Sequence, residues 1–237
     1  MQAVSFYTQK IKVELFYFSV FNFILKTKLK VACKIIFMEE KKEIELKAWN
    51  YNLEKTENAL KGFASFCGTS FKSDRYFIQQ NEPHEMLRLR IQKDFENNFD
   101  FSNFSNCEPK CSFLVTHKKR SVKLGIEENE ETEFFVSDGE SFEKILKKIG
   151  FSLLRTKEKK TQNWFYKNFH IEMVEITGLG NFLEIETVLE NATNEEIDKA
   201  KRDLKKILEM CEIDSKYIEE KPYSKLLKNN EKKEKDY

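Results

Sequence analysis

Several features are scarce in this sequence, and each scarcity excludes something. Seven glycines and three prolines among 237 residues exclude a collagen-like repeat. The cysteines, Cys33, Cys67, Cys107, Cys111 and Cys211, are odd in number and irregular in spacing. That excludes a disulfide-stapled miniprotein and fits a reduced, cytoplasmic protein. Cys107 and Cys111 form a lone C-x3-C, and tetrahedral zinc needs four ligands, so the pair reads as two loop cysteines. Net charge is almost absent: 41 Lys and Arg against 40 Asp and Glu leave +1. Basic residues alternate with acids instead of forming a stripe, which argues against nucleic acid or an anionic membrane as partner.

A long apolar run is missing as well. Leu15–Leu25 is bounded by Glu14 and Lys26 and falls short of the ~20 apolar residues of a membrane-spanning helix. No small-residue cleavage site follows it; Lys26, Lys28 and Lys30 come instead. Met38 opens MEEKKEIELK in the manner of an ordinary start. The expected organisation is a mis-called upstream frame or a loose extension over 1–37, one functional domain over 38–228 that starts at Met38, and a disordered, charged tail over 229–237.

What is present is a large stock of aromatic side chains, 22 Phe among them, within a chain that is 40% hydrophobic and 34% charged. A sizeable core is therefore available, and wholesale disorder is excluded. Period-2 alternation predicts strands over 43–49, 74–79, 86–91, 112–118, 122–136, 151–158, 163–167, 169–176 and 182–190. Helices are expected over 53–66, closed by a Cys67-Gly68 turn, and over 141–149, with Phe142, Ile145, Leu146 and Ile149 on one stripe. His84 falls in a stretch read as loop, as do residues 93–110. Thr193, with Glu196 at the capping-box position, starts a long helix whose stripe is Ile197, Ala200, Leu204, Ile207, Leu208 and Cys211. A short helix over 223–228 follows Pro222. Gly178 and Gly180 fit a turn between two strands. The fold class is α+β, with about eight antiparallel strands and a few amphipathic helices.

The charged faces of the strands recur: Glu43/Glu45/Lys47, Arg88/Arg90, Glu131/Glu133 and Glu184/Glu186. On a single strand such a face looks at water. The helices, however, carry apolar stripes that need a partner surface. If they cover the apolar strand faces, the charged rows turn inward, and in a closed barrel inward is the lumen. A lumen crowded with charge is costly unless the charges pair or hold ligands. Carboxylates at i and i+2 suit a hard divalent ion, and facing Arg and Lys suit phosphate. Together they ask for a metal–polyphosphate complex.

Those same residues resemble the CYTH superfamily, which joins class IV adenylyl cyclases (the CyaB-like branch) with thiamine and inorganic triphosphatases. Glu43-Ile-Glu45-Leu-Lys47 resembles its E-x-E-x-K signature, and Leu87-Arg88-Leu89-Arg90 its LRxR. Val115-Thr116-His117-Lys118 resembles L-T-x-K, and Glu131-Thr132-Glu133 with Val136 and Asp138 resembles the later E-x-E and V-x-D. Ile149-Gly150-Phe151 with Glu158-Lys159 resembles IGF and EK. Phe169-His170-Ile171, Thr177-Gly178-Leu179-Gly180 through Glu186, and Tyr223-Ser224-Lys225-Leu226-Leu227 are similar to the cyclase branch in particular. The likeness runs in order over about 43–228.

The resemblance implies an eight-stranded antiparallel barrel, the triphosphate tunnel, with helices packed outside. It implies two ions, Mg2+ or Mn2+, and a possible homodimer. It makes Glu43, Glu45 and Lys47 candidate catalytic residues. Glu43, Glu45, Glu131, Glu133, Glu184 and Glu186 become candidate metal carriers, and Lys47, Arg88, Arg90, Lys118 and Lys159 candidate triphosphate ligands. The implied reaction is ATP to cyclic AMP and pyrophosphate. The alternatives are a triphosphatase acting in the same tunnel and a non-catalytic nucleotide or polyphosphate binder. The chain departs from the family pattern at Lys119, Asn129, Thr161 and Val174. Glu172 is the expected substitute for the acid missing at Val174, and Lys123 or Lys160 for a missing cation. His170 reads as a hydrogen-bonded structural histidine, and Trp164 and Tyr166 as core residues.

Overall fold

A computed structural model describes residues 41–79, 82–95 and 110–235, apart from the side chains of 82–85, 119–120 and 231–235. The chain divides into Met1–Glu40 and Lys41–Tyr237. The extension expected over 1–37 lies outside the described residues, as do Cys33 and Cys107.

Eight strands make up the body: β1 (Lys41–Trp49), β2 (Ser65–Gln79), β3 (Glu82–Phe95), β4 (Lys110–Lys123), β5 (Ile126–Val136), β6 (Phe151–Tyr166), β7 (Phe169–Ile176) and β8 (Gly180–Glu190). The helices are α1 (Leu53–Phe63), α2 (Gly139–Lys148), α3 (Asn194–Met210) and α4 (Tyr223–Lys235), with a 3-10 turn at Ser215–Tyr217. The strands close in the order β1-β5-β4-β3-β2-β6-β7-β8, every pairing antiparallel. Eight strands leave an interior just wide enough for side chains or one small ligand. No described helix is long and apolar enough to cross a membrane.

The alternation that defines the strands sends their apolar faces outward, under the helices. Ile44, Leu46 and Ala48 of β1 are fully buried in one cluster with Ile171, Met173, Leu183 and Ile185 of β7 and β8 and with Ile197, Ala200, Leu204, Ile207 and Leu208 of α3. Helix α3 opens on the expected capping box: Glu196 N–H donates to the Thr193 hydroxyl while the Glu196 carboxylate accepts from Thr193 N–H. A second cluster joins Phe77, Leu89 and Val115 to Leu146 and Phe142 of α2. Asp138 caps α2 by accepting from Glu140 N and Ser141 N. Gly139 lies against the Phe113 ring so closely that a Cβ would stand 2.4 Å from it.

Several boundaries differ from expectation. Helix α1 stops at Phe63 and β2 starts at Ser65, so Gly68 (φ 97) sits in a bulge opposite β6 and does not end a helix. The expected strands 151–158 and 163–167 are one, β6, because its inward positions Lys157, Lys159 and Thr161 are polar yet paired. His84 lies in β3, not in a loop. On α2, Ile145 and Ile149 are exposed, and the buried face is Phe142, Glu143 and Leu146. Glu143 tolerates burial there because Arg75 and Lys147 pair with it. The last helix runs to Lys235, well past 228, since Lys and Glu propagate a helix even without an apolar stripe.

Candidate active site

The inward rows can be identified by which ion pairs cross an intervening strand. Neighbouring strands lie ~4.8 Å apart, so a pair that skips a strand must form on the concave side of a curved sheet. Lys118 of β4 reaches Glu43 of β1 over β5, at 2.8 Å. Lys72 of β2 meets Glu172 of β7 over β6, and Lys159 of β6 meets Glu184 of β8 over β7. The charged rows therefore line the lumen.

The lumen is graded along its length. Helix α4 closes one end: Tyr223, Leu226, Trp49, Val174, Ile176 and Phe182 pack there as a hydrocarbon plug. Above the plug the Tyr223 ring faces Lys47 Nζ at 4.7 Å, Lys157 Nζ at 5.1 Å and Lys159 Nζ at 6.0 Å, each within cation–π range. These lysines are deeply buried, with side-chain exposures of 3%, 8% and 5%. Carboxylates dominate the more open stretch, where Glu186 is 32% and Lys118 27% exposed. His170, stacked on the exposed Phe165, lies beside Glu186.

Glu43, Glu45 and Glu186 bring carboxylate oxygens within 4.8 Å of one another. Burial is the largest force on Glu45 and, with Glu127, Glu184 and Glu43 close by, pushes its carboxyl up to about 8 against the pull of Lys118. Burial also raises Glu43, with Glu186 and Glu131 adding to it. Glu186 suffers the same desolvation but is held below its usual range by the His170 hydrogen bond, with Nδ1 at 3.0 Å. Desolvation lowers the His170 imidazole, yet Glu186 and Glu172 outweigh it and leave the ring above its usual value. Three hard oxygen donors this close, two of them driven toward protonation, are short of positive charge. That donor set fits Mg2+ or Mn2+.

The other expected metal carriers are engaged with cations. Glu184 bonds to Lys159, and Glu131 bonds to Lys118 at 2.8 Å. Glu133 accepts from Arg88 at 3.2 Å and from the Thr116 hydroxyl at 2.6 Å. Among the expected phosphate ligands, Lys47 lies 3.5 Å from Glu127, and Arg90 is gripped at two points by Asp74. Glu172 does face the lumen, but toward Lys72 and Lys159 and not into the carboxylate trio. Lys160 turns outward to Glu175 at 3.0 Å and Lys123 is exposed on the β4–β5 hairpin, so neither supplies a lumen cation. Alternation puts them on the outer face or past the barrel's rim. Thr161 shares a 2.5 Å hydrogen bond with Ser70, and Asn129 donates to Glu43 at 3.0 Å.

Lys72, Asp74, Glu127 and Lys157 are lumen residues that sequence reasoning missed. A signal existed for one of them: Lys157 lies one pleat before Lys159 on the same face. Asp74 is fully buried; desolvation opposes its charge, but Arg90 and Lys157 together hold it well below the usual carboxylate range. Two buried polar lumen atoms, Arg88 Nε and Asn129 Oδ1, have no hydrogen-bond partner within the protein.

Comparison with known proteins gives a consistent picture. The CYTH domain family matches residues 41–223. No curated protein matches the sequence. Among solved structures, the PH1819 protein of Pyrococcus horikoshii OT3 superposes with a TM-score of 0.65 at 22% identity, covering 79% of this chain and 98% of its own. A Vibrio parahaemolyticus protein provisionally named an adenylate cyclase gives 0.61 at 15% identity, covering 78% and 97%. HpAC1 of Hippeastrum, provisionally named an adenylyl cyclase and described as having a dominant triphosphatase activity, gives 0.53 at 16% identity, covering 79% and 95%. At these identities the likeness is one of fold.

Proposed function

The chain belongs to the CYTH domain family, and from that premise we propose that it is a metal-dependent enzyme acting on a triphosphate, with ATP as substrate and cyclic AMP and pyrophosphate as products. The observation that carries this reading is the grading of the lumen: buried lysines beneath Tyr223 at the closed end, and the Glu43/Glu45/Glu186 trio nearer the open end. A triphosphate enters tail first, its terminal phosphates against Lys47, Lys157 and Lys159, which leaves the α-phosphorus and its nucleoside toward the carboxylates. Arg88, whose Nε is buried without a partner, has donor capacity to spare for phosphate oxygens.

Glu43, Glu45 and Glu186 would hold a divalent ion, which when bound supplies charge neutralisation at the phosphate and a lowered alkoxide pKa. In the cyclase reaction the ribose 3′-hydroxyl gives up its proton to solvent at the open end, and its oxygen forms a bond to the α-phosphorus as the bond to pyrophosphate breaks. Lys47, Lys157 and Lys159 stabilise the charge of the departing pyrophosphate. His170, held by Glu186 on the open side, is placed to orient groups at the mouth.

A second reading, hydrolysis by water of a triphosphate in the same lumen, is supported by the likeness to HpAC1, described as having a dominant triphosphatase activity. A third, non-catalytic binding, is motivated by Asn129 and Thr161, which are uncharged and committed to Glu43 and Ser70. One incubation separates the three: purified protein with ATP, or with inorganic triphosphate, plus Mn2+, with the products resolved. Cyclic AMP with pyrophosphate supports cyclisation. Orthophosphate without a cyclic product overturns it in favour of hydrolysis, and binding without turnover overturns both in favour of the third.

A further inference from the structure

The cation that stands among the lumen carboxylates is a side chain. Lys118 Nζ lies 2.8 Å from Glu43 Oε1, 2.8 Å from Glu131 Oε1 and 3.5 Å from Glu45 Oε2. Glu43 and Glu45 also belong to the trio with Glu186 that fits a divalent ion. The ammonium and the ion therefore draw on the same two carboxylates, Glu43 and Glu45, and Asn129 donates to that same Glu43 Oε1.

We propose that Lys118 is a tethered placeholder for a divalent cation: it pairs with the carboxylate cluster until metal and triphosphate bind together, and then moves to a phosphate oxygen. The proposal deepens the metal-dependent reading above and rests on it. Charge and chain stiffness both point this way. One ammonium set against the three carboxylates of Glu43, Glu45 and Glu131 leaves that cluster with more negative than positive charge. A lysine ends in a compact point charge on four flexible methylenes and can change partner by rotation alone. Lys118 is partly exposed on the open stretch. Arg90 makes the contrast: its planar head is fixed at both nitrogens by Asp74, and it is half as exposed, at 13% against 27%.

The thermodynamic consequence is cooperativity. An ion arriving alone must displace Lys118 from Glu43 and Glu45, which leaves the ammonium with Glu131 as its one remaining carboxylate in that cluster. When a triphosphate is present the displaced ammonium gains a phosphate oxygen. Metal and triphosphate thus strengthen each other's binding, and by linkage the factor is the same in both directions.

The test is Mn2+ binding to the full chain, followed by calorimetry and by the electron paramagnetic resonance of free Mn2+, with and without a methylene-bridged, non-hydrolysable triphosphate. Wild type is compared with Lys118→Met, which keeps the stem and removes the charge, and with Lys118→Arg. Without the analogue, Lys118→Met is expected to bind Mn2+ about tenfold more tightly than wild type, within the usual coupling range of ~5–150-fold. The analogue is expected to tighten Mn2+ binding about tenfold or more in wild type and hardly at all in Lys118→Met, while Lys118→Arg follows wild type. If Lys118→Met fails to fold, Lys118→Gln substitutes for it; it too removes the ammonium that competes for Glu43 and Glu45, and it is likewise expected to tighten Mn2+ binding in the absence of the analogue. Equal Mn2+ affinity in wild type and these variants overturns the placeholder role while leaving the metal-dependent reading intact. No Mn2+ binding at millimolar concentration in any of them overturns both.

Discussion

Asp74 and Arg90 face each other across the β2–β3 pairing and are joined by two hydrogen bonds, Nε to Oδ1 at 2.6 Å and Nη2 to Oδ2 at 3.0 Å. The carboxylate has no exposure, and Lys157 reaches its second oxygen at 3.1 Å from the other side. Two bonds fix the guanidinium plane, so Arg90 presents its remaining donors to the lumen in one orientation. Asp74→Ala removes the shared partner of two buried cations. The expected loss of stability is about 3–5 kcal/mol, as when one member of a buried pair is deleted. Urea unfolding of the variant checks it; a midpoint unchanged from wild type contradicts the burial and pairing just described.

The same carboxylate gives a pH signature. Burial raises the Asp74 pKa, but Arg90 and Lys157 together overcome that and hold it well below the ordinary 3.8. The unfolded chain therefore takes up a proton first as pH falls. The stabilisation from ionised Asp74 is fully present above the unfolded value and is lost as pH falls from there through the folded one. The stability gap between wild type and Asp74→Asn should be flat at higher pH and shrink progressively below 3.8. Unfolding free energies measured at intervals down to the acid limit of folding test this, and a gap that widens with acid contradicts it.

The parts of this barrel legible in sequence are those where one strand face is covered by a helix. In β1, β7, β8 and α3 a clean apolar stripe fixes which residues turn inward, and Glu43, Glu45, Lys47 and Glu186 follow from it. Strand β2 resists the same treatment. Its outward face mixes Phe71, Ser73 and Arg75, and the bulge at Gly68 breaks the period, so Lys72 and Asp74 lose the frame that would have marked them. Pairings that skip a strand, such as Lys118 with Glu43, depend on how the sheet closes on itself. No local pattern carries that, so a carboxylate bound to a lysine and one free for metal look alike in E-x-E. Exposed Ile145 and Ile149 show the limit for helices too, since a stripe fixes a face only to within about one residue's rotation, ~100°.

Activity, whichever product appears, should depend on inward residues and ignore outward ones on the same strands. Glu43→Ala and Arg88→Ala are expected to lower turnover at least about a hundredfold, the usual cost of removing a group that stabilises charge in the transition state. Lys160→Ala, one residue from Lys159 but turned out to Glu175, should leave both turnover and melting within the scatter of surface substitutions, about 0.5 kcal/mol. The decisive measurement is product formation at saturating ATP and Mn2+ for the three variants side by side. Full activity in Glu43→Ala together with loss in Lys160→Ala would invert the assignment of faces.

Tyr223 closes the sequence of charges from below, and its contribution is separable into ring and hydroxyl. The ring spans Lys47, Lys157 and Lys159 and meets Phe182 edge-on, with centroids 4.9 Å apart. Ring-to-ammonium contacts strengthen with desolvation, to about 2 kcal/mol at buried sites. Tyr223→Phe keeps every one of these contacts, whereas Tyr223→Leu fills similar space without a π face. The leucine variant is therefore expected to melt well below the phenylalanine variant. Raised salt should not close the difference, because ions screen buried charges poorly. If the two variants melt together, the lysines are held by their carboxylate partners alone and the aromatic cover is only a plug. If the leucine variant melts lower by about 1–2 kcal/mol, the ring helps stabilise a row of lysines before any phosphate reaches them.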